Sequence, residues 1–318
     1  MKTRLLYHYP CPDGVFAALA ASIGLQQRQL QQSVVLVPNT VYQSEHETSA
    51  MLDTFGPEDE VYLLDFSGNH GFLARACARV ASVHLLDHHK TAADDLAQLD
   101  ANGSAPANLE RVVDMGRSGA MIAYDYFGLH KTHAHLRPIY EHIQDQDLWR
   151  FRVPGTKSFS AALTQMDIEY DFAKNPALAH TLQSLDVAAM IATGTELLEE
   201  QARRVAAIVA TKYLVTIPAG EGQKALTCFG VTIDPSQSKL RSEVGNALAE
   251  ESKQNGHSAA GAVISSLAEE ATEPDMWKVS LRSIGDVDTT VFTKFHGGGG
   301  HKNASSCMVK KAVLDRFL

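Results

Sequence analysis

A chain of 318 residues with a formal net charge of −9 at pH 7 can bury a full core and is long enough for two domains. The acidic balance argues against stable binding of duplex DNA through its phosphates, and no apolar run approaches the roughly 20 residues of a membrane span. The scattered Cys11, Cys77, Cys228 and Cys307 lack disulfide or zinc-ribbon spacing, and no basic segment precedes a long apolar one; both features predict a cytoplasmic protein rather than a secreted one.

In chain order, Thr3 to His8 reads as a strand, Val15 to Gln31 as a helix and Val34 to Val37 as a strand. Glu45 to Phe55 follows as a helix, Glu60 to Phe66 as a strand, His70 to Arg79 as a helix and Ser82 to Asp87 as a strand. Asp94 to Asn108, with Asn102-Gly103-Ser104 and Pro106, reads as an exposed loop. Leu109 to Asp114 is a strand, Ser118 to Phe127 a helix and His135 to Asp147 a helix. This alternation predicts an α/β domain with a doubly wound, mainly parallel sheet, ending at the turn Arg152-Val153-Pro154-Gly155.

Residues 156–211 read as a helical connector, with a long stretch from Leu185 to Thr211 interrupted by Gly194. From residue 212 the pattern is that of a smaller α/β domain. Its strands are Tyr213 to Ile217, Ala225 to Val231, Ala259 to Ile264, Trp277 to Arg282 and Ala304 to Val309, with a helix over Glu243 to Lys253.

Three predicted strands of the first domain end in imidazole or carboxylate: His8 running on to Asp13, Asp65, and Asp87-His88-His89. Ligands collect outside the carboxyl ends of the strands in such sheets. An isolated Asp at a strand end is usually a turn or helix-capping residue, and an isolated His is usually structural. Together they read as a shared metal site. Mixed carboxylate and imidazole ligands favour Mn²⁺ over structural Zn²⁺, with Mg²⁺ as the second choice, and a bridging carboxylate can serve two ions. Asp145 and Asp147 end the last helix of this domain. A spacing of two keeps them from facing one ion together from a regular helix, so one of them is a further ligand candidate. Ser118, in Arg117-Ser118-Gly119, reads as a helix N-cap.

In the second domain, Gly297-Gly298-Gly299-Gly300 lies between His296 and His301 and immediately before a strand. A flexible linker is the ordinary reading of a glycine run. This context favours instead a loop whose N–H groups approach an anion, with His301, Lys302 and Arg282 as phosphate ligands. Phe292 and Phe295 are nearby aromatics that could stack a base, although core positions are the commoner role.

These residues, in this order, resemble the DHH phosphoesterase superfamily, whose name-giving motif reads here as Asp87-His88-His89. Gly298-Gly299-Gly300-His301 resembles the glycine-rich signature of the DHH-associated C-terminal domain. The resemblance covers both halves of the chain and implies a two-Mn²⁺ site. It assigns His8 and Asp13 to different ions, Asp65 to the bridge, His88 to the second ion, and Asp87 and His89 to supporting or substrate-facing roles. Asp145 is the preferred fourth-motif ligand and Asp147 the alternative register. Arg282 and Gly298 to His301 are implied substrate contacts. Two departures stand out: Cys11 replaces an aspartate that many relatives carry, either as a softer metal ligand that weakens or biases the first site or as a bystander, and Ala304-Ser305-Ser306 replaces the usual small ending.

The resemblance implies a phosphodiesterase that cleaves short single-stranded oligonucleotides or cyclic and linear dinucleotides with a metal-bound hydroxide. A phosphatase acting on polyphosphate, pyrophosphate or a nucleotide bisphosphate is the alternative within the same chemistry. A non-catalytic nucleotide sensor, with one metal site disabled at Cys11, is the alternative outside it. A homodimer is compatible with all three.

Overall fold

Leu5, Leu6 and Tyr7 are consecutive and fully buried, so the strand that carries them is covered on both faces, as strands of parallel sheets are. A computed structural model of the protein describes residues 1–27, 33–40, 43–69, 71–220, 222–266 and 275–318. The first of two compact units, Met1–Leu197, alternates β1 (Lys2–His8), α1 (Pro12–Gln27), β2 (Ser33–Asn39), α2 (Glu45–Leu52), β3 (Glu60–Leu64) and α3 (Phe72–Cys77). It continues with β4 (Ser82–Asp87), α4 (Lys90–Ala101), β5 (Leu109–Val113) and α5 (Gly119–Tyr126). The strands form a wholly parallel sheet in the order β2-β1-β3-β4-β5.

Side chains alternate between the two faces. Leu5, Tyr7, Tyr62 and Leu64 pack with α1 and with Ala120 to Tyr124 of α5. Leu6, Val61, Leu63 and Leu85 pack on the other face with Leu52, Phe72, Leu73 and Leu96. The doubly wound α/β expectation is therefore met. Helix α1 is apolar around most of its circumference because its residues from Asp13 to Ala21 are all buried.

Helices α6 (Leu129–Thr132), α7 (Arg137–Asp147), α8 (Thr156–Gln165), α9 (Leu178–Gln183) and α10 (Val187–Val209) follow. Phe159, Leu163, Leu178 and Leu182 join the core around α1, so the stretch read as a connector is built into the first unit as far as Leu197. Gly194 does not interrupt α10, as the sequence suggested. It lies inside the helix where a methyl group would collide with the Ser158 carbonyl, so the glycine permits close packing on α8.

The expected loop over Asp94 to Asn108 is also corrected. Helix α4 occupies most of it, burying Ala92 and Leu96, and the turn signals act only from Asn102 onward. Arg28 to Gln31 and His70, the ends of two expected helices, lie outside the described residues.

The second unit, Leu198–Leu318, contains β6 (Tyr213–Ile217), β7 (Leu226–Thr232), α11 (Arg241–Gln254), β8 (Ala260–Ser266) and β9 (Met276–Ser283). Helix α12 (Thr290–Phe295), β10 (Gly299–His301), β11 (Ala304–Lys310) and α13 (Lys311–Leu314) complete it. Its mixed sheet runs β10-β11-β9-β8-β7-β6, with only the β7–β8 pairing parallel. The glycine run is therefore not purely a loop, because Gly299 and Gly300 pair with β11. Among the described residues, no helix is long and apolar enough to cross a membrane.

The first strand is anchored by a buried ion pair, Arg4 Nε to Asp59 Oδ2 at 2.8 Å. Asp59 also accepts from the Lys2 and Gly56 N–H groups at 2.8 and 3.0 Å. Burial alone would raise the Asp59 carboxyl, but these donors and the guanidinium bring it down to about 2. Its stabilising contribution is then complete above the usual carboxylate range and is lost as pH falls through about 2. Asp59→Asn should lower the melting temperature at neutral pH, and its deficit relative to the parent protein should shrink as thermal melts are taken from pH 5 down to about pH 2.

Candidate metal centre

β1 ends at His8, a cis Tyr9–Pro10 peptide follows, and α1 starts at Pro12. This tight passage places Asp13 beneath the N-terminus of α5. Asp13 Oδ2 accepts from Gly119 N at 2.7 Å and Oδ1 from Ala120 N at 3.1 Å, where helix N–H groups and dipole favour an anion. Ser118 caps the same helix, accepting from Met121 N at 3.3 Å, as its sequence position predicts. Even so, burial and the neighbouring Asp65 and Asp147 push the Asp13 carboxyl well above the usual range.

Asp65 follows β3 with φ of 54°, a left-handed conformation that costs a non-glycine residue on the order of 1 kcal/mol. Its N–H donates to the Leu86 carbonyl of β4 at 2.9 Å, which holds that conformation. Gly119 leaves room for it, since a Cβ there would lie 2.6 Å from the Asp65 Cβ. Asp65 Oδ2 lies 3.1 Å from His8 Nδ1 and Oδ1 lies 3.1 Å from His88 Nε2. Burial opposes the charged form of Asp65, yet these imidazoles hold its carboxyl below the usual range.

Asp87 ends β4 fully buried. Its Oδ1 accepts from the His88 and His89 N–H groups at 2.7 and 3.1 Å and lies 2.7 Å from His89 Nδ1. One carboxylate oxygen therefore fixes the turn and the His89 ring. His88 Nε2 points instead toward carboxylates, 3.5 Å from Asp147 Oδ2 and 3.7 Å from Asp13 Oδ2. Burial works against its charged form, but Asp65, Asp13 and Asp147 carry its pKa up to about 9. The bond to Asp87 raises His89 as well.

Among the described residues, three overlapping groups of ligand atoms result, each within 4.8 Å: His8, Cys11 and Asp65; Asp65, His88 and His89; and Asp13, His88 and Asp147. Asp65 Oδ1 and His88 Nε2 are buried with 3.1 Å between them, and Asp87 Oδ2 is buried without a hydrogen-bond partner. Several carboxylates gathered on one imidazole nitrogen are costly to bury, and a divalent cation among these carboxylate and imidazole donors would balance them. The residues fit such an ion. Burial, then Asp65 and Asp13, push the Cys11 thiol up to about 12.

Of the two registers at the end of α7, the geometry brings Asp147 to the group, against the preference for Asp145. The Asp145 carboxylate is occupied by the Arg152 and Val153 N–H groups at 2.9 and 3.0 Å. Sequence spacing separated the two residues but could not show which one the following turn would claim. The N–H pair of Gly119 and Ala120 was also missed; its only sequence signal was the Arg117-Ser118-Gly119 helix start.

The remaining candidates lie in the second unit. His301, Ala304 and Arg282 are in register across β10, β11 and β9, and Arg282 Nη2 donates to Ser242 Oγ at 3.0 Å. A Cβ at Gly298 would strike the Ser306 carbonyl, and Gly300 has φ of 141°, so close backbone approach explains these two glycines. Gly299 has open space around it. Phe292 belongs to the core of this unit, and Phe295 is 53% exposed.

No family model matches the chain. It is 25% identical over 308 residues to an uncharacterised protein of Acanthamoeba polyphaga mimivirus, covering 95% of this chain and 66% of the relative, so it spans just under two thirds of that protein. Among solved structures, it is similar to the pGpG-specific phosphodiesterase PggH from Vibrio cholerae, with a TM-score of 0.47 and 13% identity over 99% of this chain and 96% of that one. It is also similar to an exopolyphosphatase-related protein from Bacteroides fragilis, with a TM-score of 0.37 and 12% identity over 99% and 90% of the two chains. A third similarity is to exonuclease RecJ bound to manganese, with a TM-score of 0.39 and 12% identity over 99% and 87%.

The geometry separates the two aspartates experimentally. Asp147→Ala should weaken Mn²⁺ binding in calorimetric titration at least tenfold while leaving the metal-free melting temperature nearly unchanged. Asp145→Ala, by orphaning two backbone N–H groups, should cost roughly 2 kcal/mol of stability in denaturant unfolding.

Proposed function

We propose that this chain is a DHH-type phosphoesterase that hydrolyses phosphodiester bonds of short oligonucleotides or dinucleotides with a pair of divalent ions, Mn²⁺ by preference. The observation that carries this reading is the convergence of His8, Asp13, Asp65, His88 and Asp147 at one end of the parallel sheet, where three carboxylates lie within 3.7 Å of the single His88 Nε2. Asp65 lies in two of the ligand groups and His88 in two, which suits a shared site better than separate ones.

When bound, such ions act as Lewis acids on a phosphoryl oxygen and acidify water at neutral pH. The chain's own residues supply the remainder. His8 and Asp13 flank Asp65 from β1 and from the start of α1, while α5 holds Asp13 through its N–H groups. Asp87 accepts from His89 Nδ1, which leaves Nε2 as the ring nitrogen that can face substrate. His89 has a 44% exposed side chain and borders a pocket of about 100 Å³ with His8, Asp65, Ser67, Asn69 and Thr91. An imidazole N–H there complements a phosphoryl oxygen. In the second unit, Arg282 and the stretch Gly298 to His301 are proposed as residues that contact phosphate.

The test is product formation from 5′-labelled di- to pentanucleotides, cyclic dinucleotides, polyphosphate and pyrophosphate, with Mn²⁺, Mg²⁺ or EDTA. Cleavage of the nucleotide substrates with Mn²⁺, abolished by EDTA and reduced at least a hundredfold in the Asp65→Asn, His88→Ala double variant, is the expected result. Turnover of the inorganic substrates alone would make the protein a phosphatase. Nucleotide binding without turnover, unrescued by Cys11→Asp, would make it a sensor.

A further inference from the structure

Beside the metal centre, on its α7 side, lies a pocket of about 350 Å³, within the size range of small-molecule sites. Asp13 and Asp147 form one wall, and Leu163, Trp149, Tyr170 and Gln146 form much of the remainder. All of these residues belong to the first unit. The pocket therefore shares two carboxylates with the metal centre but is otherwise largely apolar and aromatic. An inorganic phosphate chain would find little to bind on such walls.

Trp149 is the informative residue. Its side chain sits at the surface, the residue being 74% exposed, and its backbone has φ of 53°, strained for a bulky side chain. Phe151, two residues on, has φ of 50°, and its ring meets the indole edge-on at 4.8 Å between centroids. This turn is held from beneath. The Trp149 N–H donates to the Gln146 carbonyl at 3.0 Å and the Arg150 N–H to the Asp145 carbonyl at 2.9 Å, while the Asp145 carboxylate takes the next two free N–H groups. Asp145 is thus a positioning residue for the turn that presents Trp149. Across the pocket, Tyr7 Oη donates to the Tyr170 carbonyl at 2.9 Å, fixing the backbone there. An exposed indole on a strained, braced turn is not explained by core packing.

Building on the phosphodiesterase reading, we infer that this pocket receives the nucleobase of the nucleotide adjoining the scissile phosphate, with Trp149 as its stacking platform. Stacking of this kind tolerates any base, because every base offers a π-face. Gln146 provides an amide at the pocket wall for the base edge. The pocket thereby selects nucleotides over inorganic phosphates within the same metal chemistry.

The test is equilibrium dialysis of AMP and of ribose 5-phosphate against the full chain with Mn²⁺, for the parent, Trp149→Ala and Trp149→Phe proteins. Mn²⁺ affinity is measured in parallel. The expected result is that AMP binds at least tenfold more tightly than ribose 5-phosphate, that Trp149→Ala removes about tenfold of AMP affinity, and that Trp149→Phe restores most of it. Mn²⁺ affinity should be the same in all three. Saturable quenching of Trp149 emission by AMP in a Trp277→Phe background gives an independent readout. Equal affinity for the two phosphates, an unaltered Trp149→Ala protein, or loss of Mn²⁺ along with AMP would overturn the inference. AMP stacking without hydrolysis of any diester would sink the phosphodiesterase reading alone. Dinucleotide hydrolysis indifferent to Trp149→Ala would sink the pocket alone.

Discussion

Like charges do not gather at one place in a protein without something to balance them, and the first unit gathers the buried carboxylates of Asp13 and Asp65 and the more exposed one of Asp147 around one imidazole, His88. Much of the local structure serves that arrangement. The N-terminus of α5 holds Asp13, the Leu86 carbonyl fixes the strained backbone of Asp65, and Asp87 fixes the turn that aims His88. A side chain at Gly119 would push Asp65 away. The parallel sheet makes the gathering feasible because β1, β3 and β4 are adjacent and point the same way, so their carboxyl ends open onto one place.

The same constraint divides labour among residues that look equivalent. Asp145 and Asp147 are two apart, and both are acids at a helix end. The turn after α7 takes Asp145 as a backbone acceptor, which frees Asp147 to face His88 and sets the exposed Trp149 at the rim of the adjoining pocket. Asp87 and His88 show a parallel division, since Asp87 Oδ1 takes local N–H groups while His88 Nε2 faces the gathered carboxylates.

Much of this was legible in the sequence, and the gaps have physical causes. Ser82 to Asp87 was readable because a buried apolar run ends abruptly in polar residues. His8, Asp13, Asp65 and His88 were readable as a group because each falls at or just beyond a strand end. Helix α4 was missed because two adjacent aspartates and a downstream Asn-Gly-Ser outweighed the spacing of Ala92 and Leu96. Gly194 was misread because close packing on the Ser158 carbonyl is a tertiary requirement with no local signal. The choice between Asp145 and Asp147 depended on a turn whose backbone enters the left-handed region at Trp149 and Phe151, residues that rarely adopt it.

The central claim is that Asp65 is the shared ligand of a two-ion site. Electron paramagnetic resonance of the metal-free protein titrated with Mn²⁺ tests it most directly. A bridged site predicts a spin-coupled pair that saturates at two ions per chain and disappears in Asp65→Asn. A single isolated Mn²⁺ signal, or a coupled pair that survives the loss of Asp65, would contradict it.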